Sequence, residues 1–268
     1  MATLSYHEQK NIENTKKLRE LQKELPYFCT DFFRGIEAST SVRTRIAYAH
    51  DLKIFFQFLK TANPRTFDNP AHTLTPGDLE KLTVSDLEEY IDYLKCHPSD
   101  TCEDVVNTER GLMRKVSSLR SFYSYFFRNE LIEKNPAALV RMPKLHEKEI
   151  IRLEIDEVAK LLDEVEEGDK LTEKQKLYHE RTKVRDLAMM SLLLGTGIRV
   201  SECVGLNIND IDLDTCGARV YRKGGKESVI YFSDEVRDVL EDYLDEREMI
   251  DAVPGNEDAL FLSMQRKR

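Results

Sequence analysis

Arg199 and Glu202, in the run Gly195-Thr-Gly-Ile-Arg199-Val-Ser-Glu202, are the residues most suited to chemistry, and Lys223 follows in a Lys-Gly-Gly-Lys stretch ending at Lys226. An arginine and a lysine held around short turns suit the handling of a phosphodiester. Arginine stays charged and grips two phosphate oxygens with its planar fork. Lysine is a mobile point charge and a possible proton donor. Two readings of Arg199 are open from this motif alone. One is a structural ion pair with Glu202, three residues on along a helix. The other is a phosphate ligand braced by that same carboxylate. Lys223 and Lys226 likewise read either as a solvated hairpin tip or as a finger that reaches into a DNA groove.

Other candidates lie on two helices of the first half. At 100° per residue, Arg114, Ser117, Ser118, Ser121, Ser124 and Arg128 share one face, with Arg120 at its margin. Small hydroxyl residues between arginines let a helix approach a phosphate chain closely. A second helix carries Arg43, His50 and Lys53 opposite its apolar stripe. The expected DNA-binding set is Arg43, Arg45, Lys53, Arg114, Lys115, Arg120, Arg222 and Lys226. The alternative for both helix faces is plain solvation.

The positioning elements follow from periodicity. A polar amphipathic segment covers roughly 5–24, and Pro26 interrupts it. Ser39-Thr40-Ser41 precedes a helix whose stripe is Tyr48, Leu52, Phe55, Phe56 and Leu59. Asn63-Pro64, Asn69-Pro70 and Pro76-Gly77 mark a loop, and Thr83-Val-Ser-Asp opens a helix that ends near His97-Pro98. The next helix spans about Asn107 to Asn129, with Val116, Leu119, Phe122, Tyr123, Phe126 and Phe127 on its core face. Residues 143–153 read as a linker. Beyond it, a helix covers Ile155 to about Glu167, and Val184 to Leu194 is apolar nearly all round, as in a buried helix closed by Gly195. A short helix begins near Arg199. Alternation over 218–222 and 228–232 around Gly224-Gly225 predicts a hairpin. Ser233-Asp234 caps a helix to about Met249, and Ala259–Leu262 reads as a final short strand.

Composition sets limits. The chain has 268 residues, 41% apolar and 33% charged, with net charge −9. Residues 1–148 hold 22 Lys+Arg against 21 Asp+Glu, and 149–268 hold 18 against 28. Any DNA-binding face is therefore local rather than a bulk property. No segment reaches the ~18 apolar residues of a membrane span. The polar start reads as cytoplasmic. Five scattered cysteines and six histidines show no metal spacing, so no cofactor is expected.

Taken together, these segments resemble the tyrosine recombinase (phage-integrase) family, on its Xer-like branch. The resemblance rests on LLLGTGIRVSECVGLNINDID (192–212), RKGGKES (222–228), TSVRTRIAYAHDLKIFFQFL and RKVSSLRSFYSYFFRNELIEKNPA. It implies a mainly helical protein with a small antiparallel sheet: an N-terminal helical extension (1–38), an all-helical, SAM-like core-binding domain (39–142), the linker (143–153), and an α+β catalytic domain (154–268). It implies that Arg199 grips the scissile phosphate, Glu202 supports it, and Lys223 protonates the leaving 5′-hydroxyl. The family cuts and rejoins double-stranded DNA at recombination sites through a 3′-phosphotyrosyl link, without metal or nucleotide, as tetramers. Its His-x-x-Arg box and nucleophilic tyrosine would follow Arg268, so the chain is expected to be C-terminally truncated, inactive alone and monomeric. The alternative is a non-catalytic module that occupies recombination sites.

Overall fold

A computed structural model describes residues 5–61, 74–98, 104–146, 149, 151–222 and 225–268. The chain divides into two compact units, Met1–Glu149 and Ile150–Arg268. Each has its own hydrophobic core.

The first unit is helical. Helix α1 (Tyr6–Gln22) starts at a capping box in which Ser5 Oγ accepts from the Glu8 amide and Glu8 accepts from the Ser5 amide. Then come α2 (Cys29–Gly35), α3 (Val42–Thr61), α4 (Pro76–Leu79) and α5 (Val84–Lys95). Ser41 Oγ accepts from the Thr44 amide at the head of α3. Thr83 and Asp86 form the box that opens α5. Pro76 stands in the first turn of α4, where its missing N–H costs nothing, so Pro76-Gly77 begins a helical turn rather than extending the expected loop. The pairs Asn63-Pro64 and Asn69-Pro70 lie outside the described residues. Strands β1 (Cys96–Pro98) and β2 (Asp104–Val106) form an antiparallel hairpin where no strand was expected. Helix α6 (Glu109–Arg128) follows, with the Thr108 hydroxyl as its N-cap.

Helix α6 is the centre of this unit, since α2, α3, α5 and the 3-10 turn at Pro136–Ala138 all pack on it. Phe122 is fully buried and meets the rings of Phe28, Phe32, Phe56, Tyr123 and Phe126, the last at 4.9 Å between centroids. Edge-to-face rings of this kind add to simple area burial. Leu18, Leu25, Phe28, Phe32 and Phe33 share the core with Phe55, Tyr90 and Phe126, so residues of the expected N-terminal extension belong to one body with the rest of the unit. Phe127, expected in the core, is 46% exposed. It sits one residue past fully buried Phe126, about 100° further round α6.

The second unit is mixed. Helices α7 (Ile155–Glu167), α8 (Glu173–His179), α9 (Lys183–Thr196) and α10 (Val200–Gly205) precede β3 (Ile211–Asp212), β4 (Gly217–Arg222) and β5 (Lys226–Tyr231), and α11 (Asp234–Glu248) follows. The antiparallel sheet runs β3-β4-β5. Buried Ala218 and Val220 turn one face of β4 onto the core. Helix α9 buries only Ala188, Ser191 and Leu192, and Leu194 is 38% exposed, so it is a one-sided rather than a fully enclosed helix. Its packing partners α7, α10 and α11 cover part of its circumference. Its left-handed cap is Gly197 (φ 66°), not Gly195. Ala259–Leu262 makes a single bridge from Ala259 to Asn207 rather than a strand, yet all four residues are buried. The buried Arg247 guanidinium donates to the carbonyls of Ala259 (3.1 Å), Ile250 (3.2 Å) and Glu257 (2.8 Å). The Tyr243 hydroxyl donates to Leu260 O at 2.9 Å. These bonds fasten a segment that has no ladder of its own.

The core of the first unit allows a direct check. A Cβ added at Gly35 would fall within the Tyr125 ring. Gly35→Ala is therefore expected to destabilise the unit by about 1–3 kcal/mol through overpacking. Adding Tyr125→Ala should recover part of that loss, and denaturant melts of the two single variants and the double variant read the coupling.

Candidate active site and nucleic-acid interface

The Arg199 region is built by two helix ends. Gly197 adopts the left-handed conformation that favours glycine, and its N–H bonds Leu193 O at 2.9 Å, which closes α9. Buried Ile198 then pins the turn to the core. Arg199 is the extended N-cap residue of α10, at φ −72° and ψ 147°.

Glu202 holds Arg199 twice. One carboxylate oxygen accepts from the Arg199 amide at 3.0 Å, and the other accepts from Arg199 Nη1 at 2.9 Å. The two side chains differ sharply in exposure, 70% for Arg199 and 7% for Glu202. The buried partner thus fixes the root of the arginine and one of its nitrogens. The remaining donors face solvent. The Arg199 amide bond does most to hold the Glu202 carboxyl below its usual range; burial opposes it, and the Arg199 guanidinium and the Arg222 charge add to the lowering.

Arg222 therefore belongs to the same electrostatic neighbourhood, at the end of β4 beside α10. It pairs in register with Lys226 on β5, and both are exposed. Lys223 and Gly224 lie outside the described residues, while Gly225 has the positive φ (75°) that a tight hairpin turn requires. Two arginines, one of them fixed, thus act on a buried carboxylate, with Lys226 across the ladder from the second. Tyr243 is committed to the core through Leu260 and Leu262, and Tyr231 is 70% exposed on β5. Among the described residues, no group of three or more His, Cys, Asp or Glu converges to hold a metal. No helix among them is long and apolar enough to cross a membrane.

The basic residues of the first unit separate into two kinds. Arg43 and Arg114 are exposed. Lys53 is half-buried and pairs with Glu24 at 2.8 Å. Three others are committed inside the unit. Arg45 is buried and pairs with Glu37 at 2.8 Å. Lys115 is buried and bonds Asn107 Oδ1 at 2.7 Å. Arg120 donates to the carbonyls of Ala137, Ala138 and Val140, stapling the 3-10 turn to α6. Ser118, expected on the outer face, is fully buried, with no partner for its hydroxyl among the described residues. The face that remains outward on α6 carries Arg114, Ser117, Ser121, Ser124 and Arg128.

The sequence reading missed that cations of three helices converge. Burial first, then the charges of Lys17, Lys53 and Arg114, lower the pKa of His50, against an opposing effect of Glu24. Lys10 on α1 also feels the charge of Arg43 on α3. The missing signal was the docking of α1 on α3, which no single-helix pattern contains.

Glu202 gives a pH test. A carboxyl whose folded pKa is depressed contributes stability that is present above its ordinary value, 4.5 here, and is lost as pH falls through the lower folded value. Glu202→Gln is expected to cost the second unit about 1 kcal/mol near neutral pH, because one bond partner loses its charge. Thermal melts of the two proteins should converge under acid.

Residues 151–268 match the family model described as the phage integrase family. The tyrosine recombinase XerC of Caldanaerobacter subterraneus subsp. tengcongensis is 34% identical over 245 residues, covering 89% of this chain and 62% of that protein. The tyrosine recombinase XerD of Oceanobacillus iheyensis is 30% identical over 247 residues, covering 91% of this chain and 73% of that protein. The chain thus spans roughly two thirds of the length of these relatives. Among solved structures, a lambda integrase (75-356) dimer bound to a COC′ core site shares the fold at a TM-score of 0.57 and 16% identity, over 90% of this chain and 73% of that one. The XerH site-specific recombinase bound to palindromic difH substrate, in a post-cleavage complex, does so at 0.56 and 18%, over 84% and 57%. With the Arg199–Glu202 arrangement in place and these relatives covering both units, the chain belongs to the tyrosine recombinases, on their Xer-like branch.

Proposed function

We propose that this chain serves site-specific recombination of double-stranded DNA. The second unit grips a scissile phosphate, and the first unit holds the duplex through backbone phosphates. The observation that carries this reading is the Glu202 hold on Arg199, which leaves a guanidinium anchored at one nitrogen and 70% exposed. Such a cation meets a phosphate with little reorganisation, and that favours charge developing in a transition state. Arg222 and Lys226 would add positive charge around the same oxygens. Lys223 would donate a proton to the departing 5′-oxygen as the phosphorus–oxygen bond breaks.

In this chemistry a tyrosine oxygen forms the new bond to phosphorus, and a 3′-phosphotyrosyl link keeps the bond energy for rejoining. These 268 residues contain no histidine after His179, and Tyr243 is buried and hydrogen-bonded. The polypeptide assayed alone is therefore expected to bind duplex without cutting it. The non-catalytic reading, a module that occupies a recombination site, shares the same Arg199 geometry and differs only in the outcome of that assay.

Three measurements test the proposal. Binding to a short duplex should weaken steeply with salt, because phosphate contacts release counterions, and Arg43→Ala should lower the salt slope by about one unit. Absence of any gel shift at low salt would count against DNA as the partner. A nicked substrate should yield no detergent-stable protein–DNA adduct; an adduct would show that these residues alone supply a nucleophile. The polypeptide is expected to be monomeric by light scattering.

A further inference from the structure

Asp51 is a carboxylate placed where the fold gains little from it. It lies on α3 beside Leu52, and its side chain is 3% exposed. Its Oδ2 accepts from Arg114 Nη1 on α6. Its Oδ1 is buried and has no hydrogen-bond partner among the described residues. The charged or titratable groups that face it are Arg114 and Lys115 from α6 and Tyr90 from α5. Tyr90 spends its hydroxyl on the Asp51 backbone carbonyl at 3.5 Å, and Lys115 is held by Asn107. Burial outweighs the two cations and raises the carboxyl to about 6. A buried acid with one oxygen unsatisfied breaks the usual rule for cores, and such breaks cluster at functional positions.

What Asp51 holds is at the surface. The Arg114 side chain is 45% exposed, so one nitrogen is anchored and the other end is open. The Arg114 charge also acts on His50, together with Lys17 from α1 and Lys53 from α3, against Glu24, which pairs with Lys53. Cations that raise one another's potential at one place are relieved by an outside anion.

We propose that Asp51 is a positioning residue for DNA: it fixes the Arg114 guanidinium through one nitrogen so that the other meets a backbone phosphate of a duplex lying on the Lys17–His50–Lys53 cluster. This rests on the reading above that the first unit binds duplex DNA. The gain comes from preorganisation. An arginine already held in its bound rotamer is spared an ordering cost of about threefold to tenfold in affinity. Its own charge remains available to the phosphate on the far side of the fork.

Simple electrostatics predicts the opposite effect of removing Asp51, and that makes the test sharp. Asp51→Leu, similar in shape and without an acceptor, adds one net positive charge and by charge alone should tighten DNA binding. Positioning instead predicts affinity about threefold to tenfold weaker, with a salt slope lower by about one unit. The measurement is fluorescence anisotropy of a short mixed-sequence duplex against the 268-residue chain at pH 8, over a range of salt. Arg114→Ala should show the same slope loss, and the double variant should lose nothing further. Arg114→Lys keeps the charge but not the two-ended fork; it should weaken binding as Asp51→Leu does, and it decides the matter if the leucine variant folds poorly. Binding by Asp51→Leu or Arg114→Lys as tight as that of the unaltered chain, with the slope unchanged, would overturn the inference and leave the DNA-binding reading standing. No binding by the unaltered chain at low salt would overturn that reading, and this inference with it.

Discussion

A cation that is to meet an outside anion must be held still without being neutralised. Two charges at contact in water attract weakly, while a long side chain loses freedom when it is pinned. The solution here is an asymmetric pair, with the carboxylate buried and the guanidinium mostly out. Glu202 and Arg199 have exposures of 7% and 70%, and Asp51 and Arg114 have 3% and 45%. The buried partner is rigid because its surroundings are packed. The exposed partner inherits that rigidity at its root and keeps its free face.

The two sites reach this arrangement differently. Glu202 is three residues from Arg199, so one turn of α10 sets the geometry, and the Arg199 amide supplies a second bond. The pair is local and needs only the Gly197 cap and the buried Ile198 to aim it. Asp51 and Arg114 lie 63 residues apart, on helices brought together by the aromatic core. That core includes Phe56 on α3 and Phe122 on α6, and their T-shaped contact sets the spacing of the two helices. The second pair therefore depends on tertiary packing, and the first hardly does.

This difference explains what could be read from the sequence. The Arg199–Glu202 spacing, the β4–β5 pairing ahead of Gly225 and the serine before α3 are local signals, and each stands in the structure as a local element. The faces of α6 are not local. A helix with neighbours on one side shows a clean stripe, but α2, α3, α5 and a 3-10 turn all pack on α6. Ser118 and Lys115 therefore turn inward, and Arg120 is spent on carbonyls that lie 17 to 20 residues further on. Gly195 read as the cap on paper; the left-handed backbone falls two residues on, at Gly197, where Leu193 O closes the last turn. Helix α9 looked enclosed because its residues are apolar, but hydrophobicity does not report how many neighbours arrive to cover it.

The segment after α11 follows a different logic. One buried guanidinium grips its main-chain carbonyls at 250, 257 and 259, while Gly255 at positive φ and the Glu257 carboxylate on its N–H shape the turn between them. Carbonyls are common to all residue types. The contacts at 250, 257 and 259 therefore place no demand on side-chain type, while position 247 needs a planar fork of several donors. Much of the shape of this stretch is thus written at a codon that lies outside it.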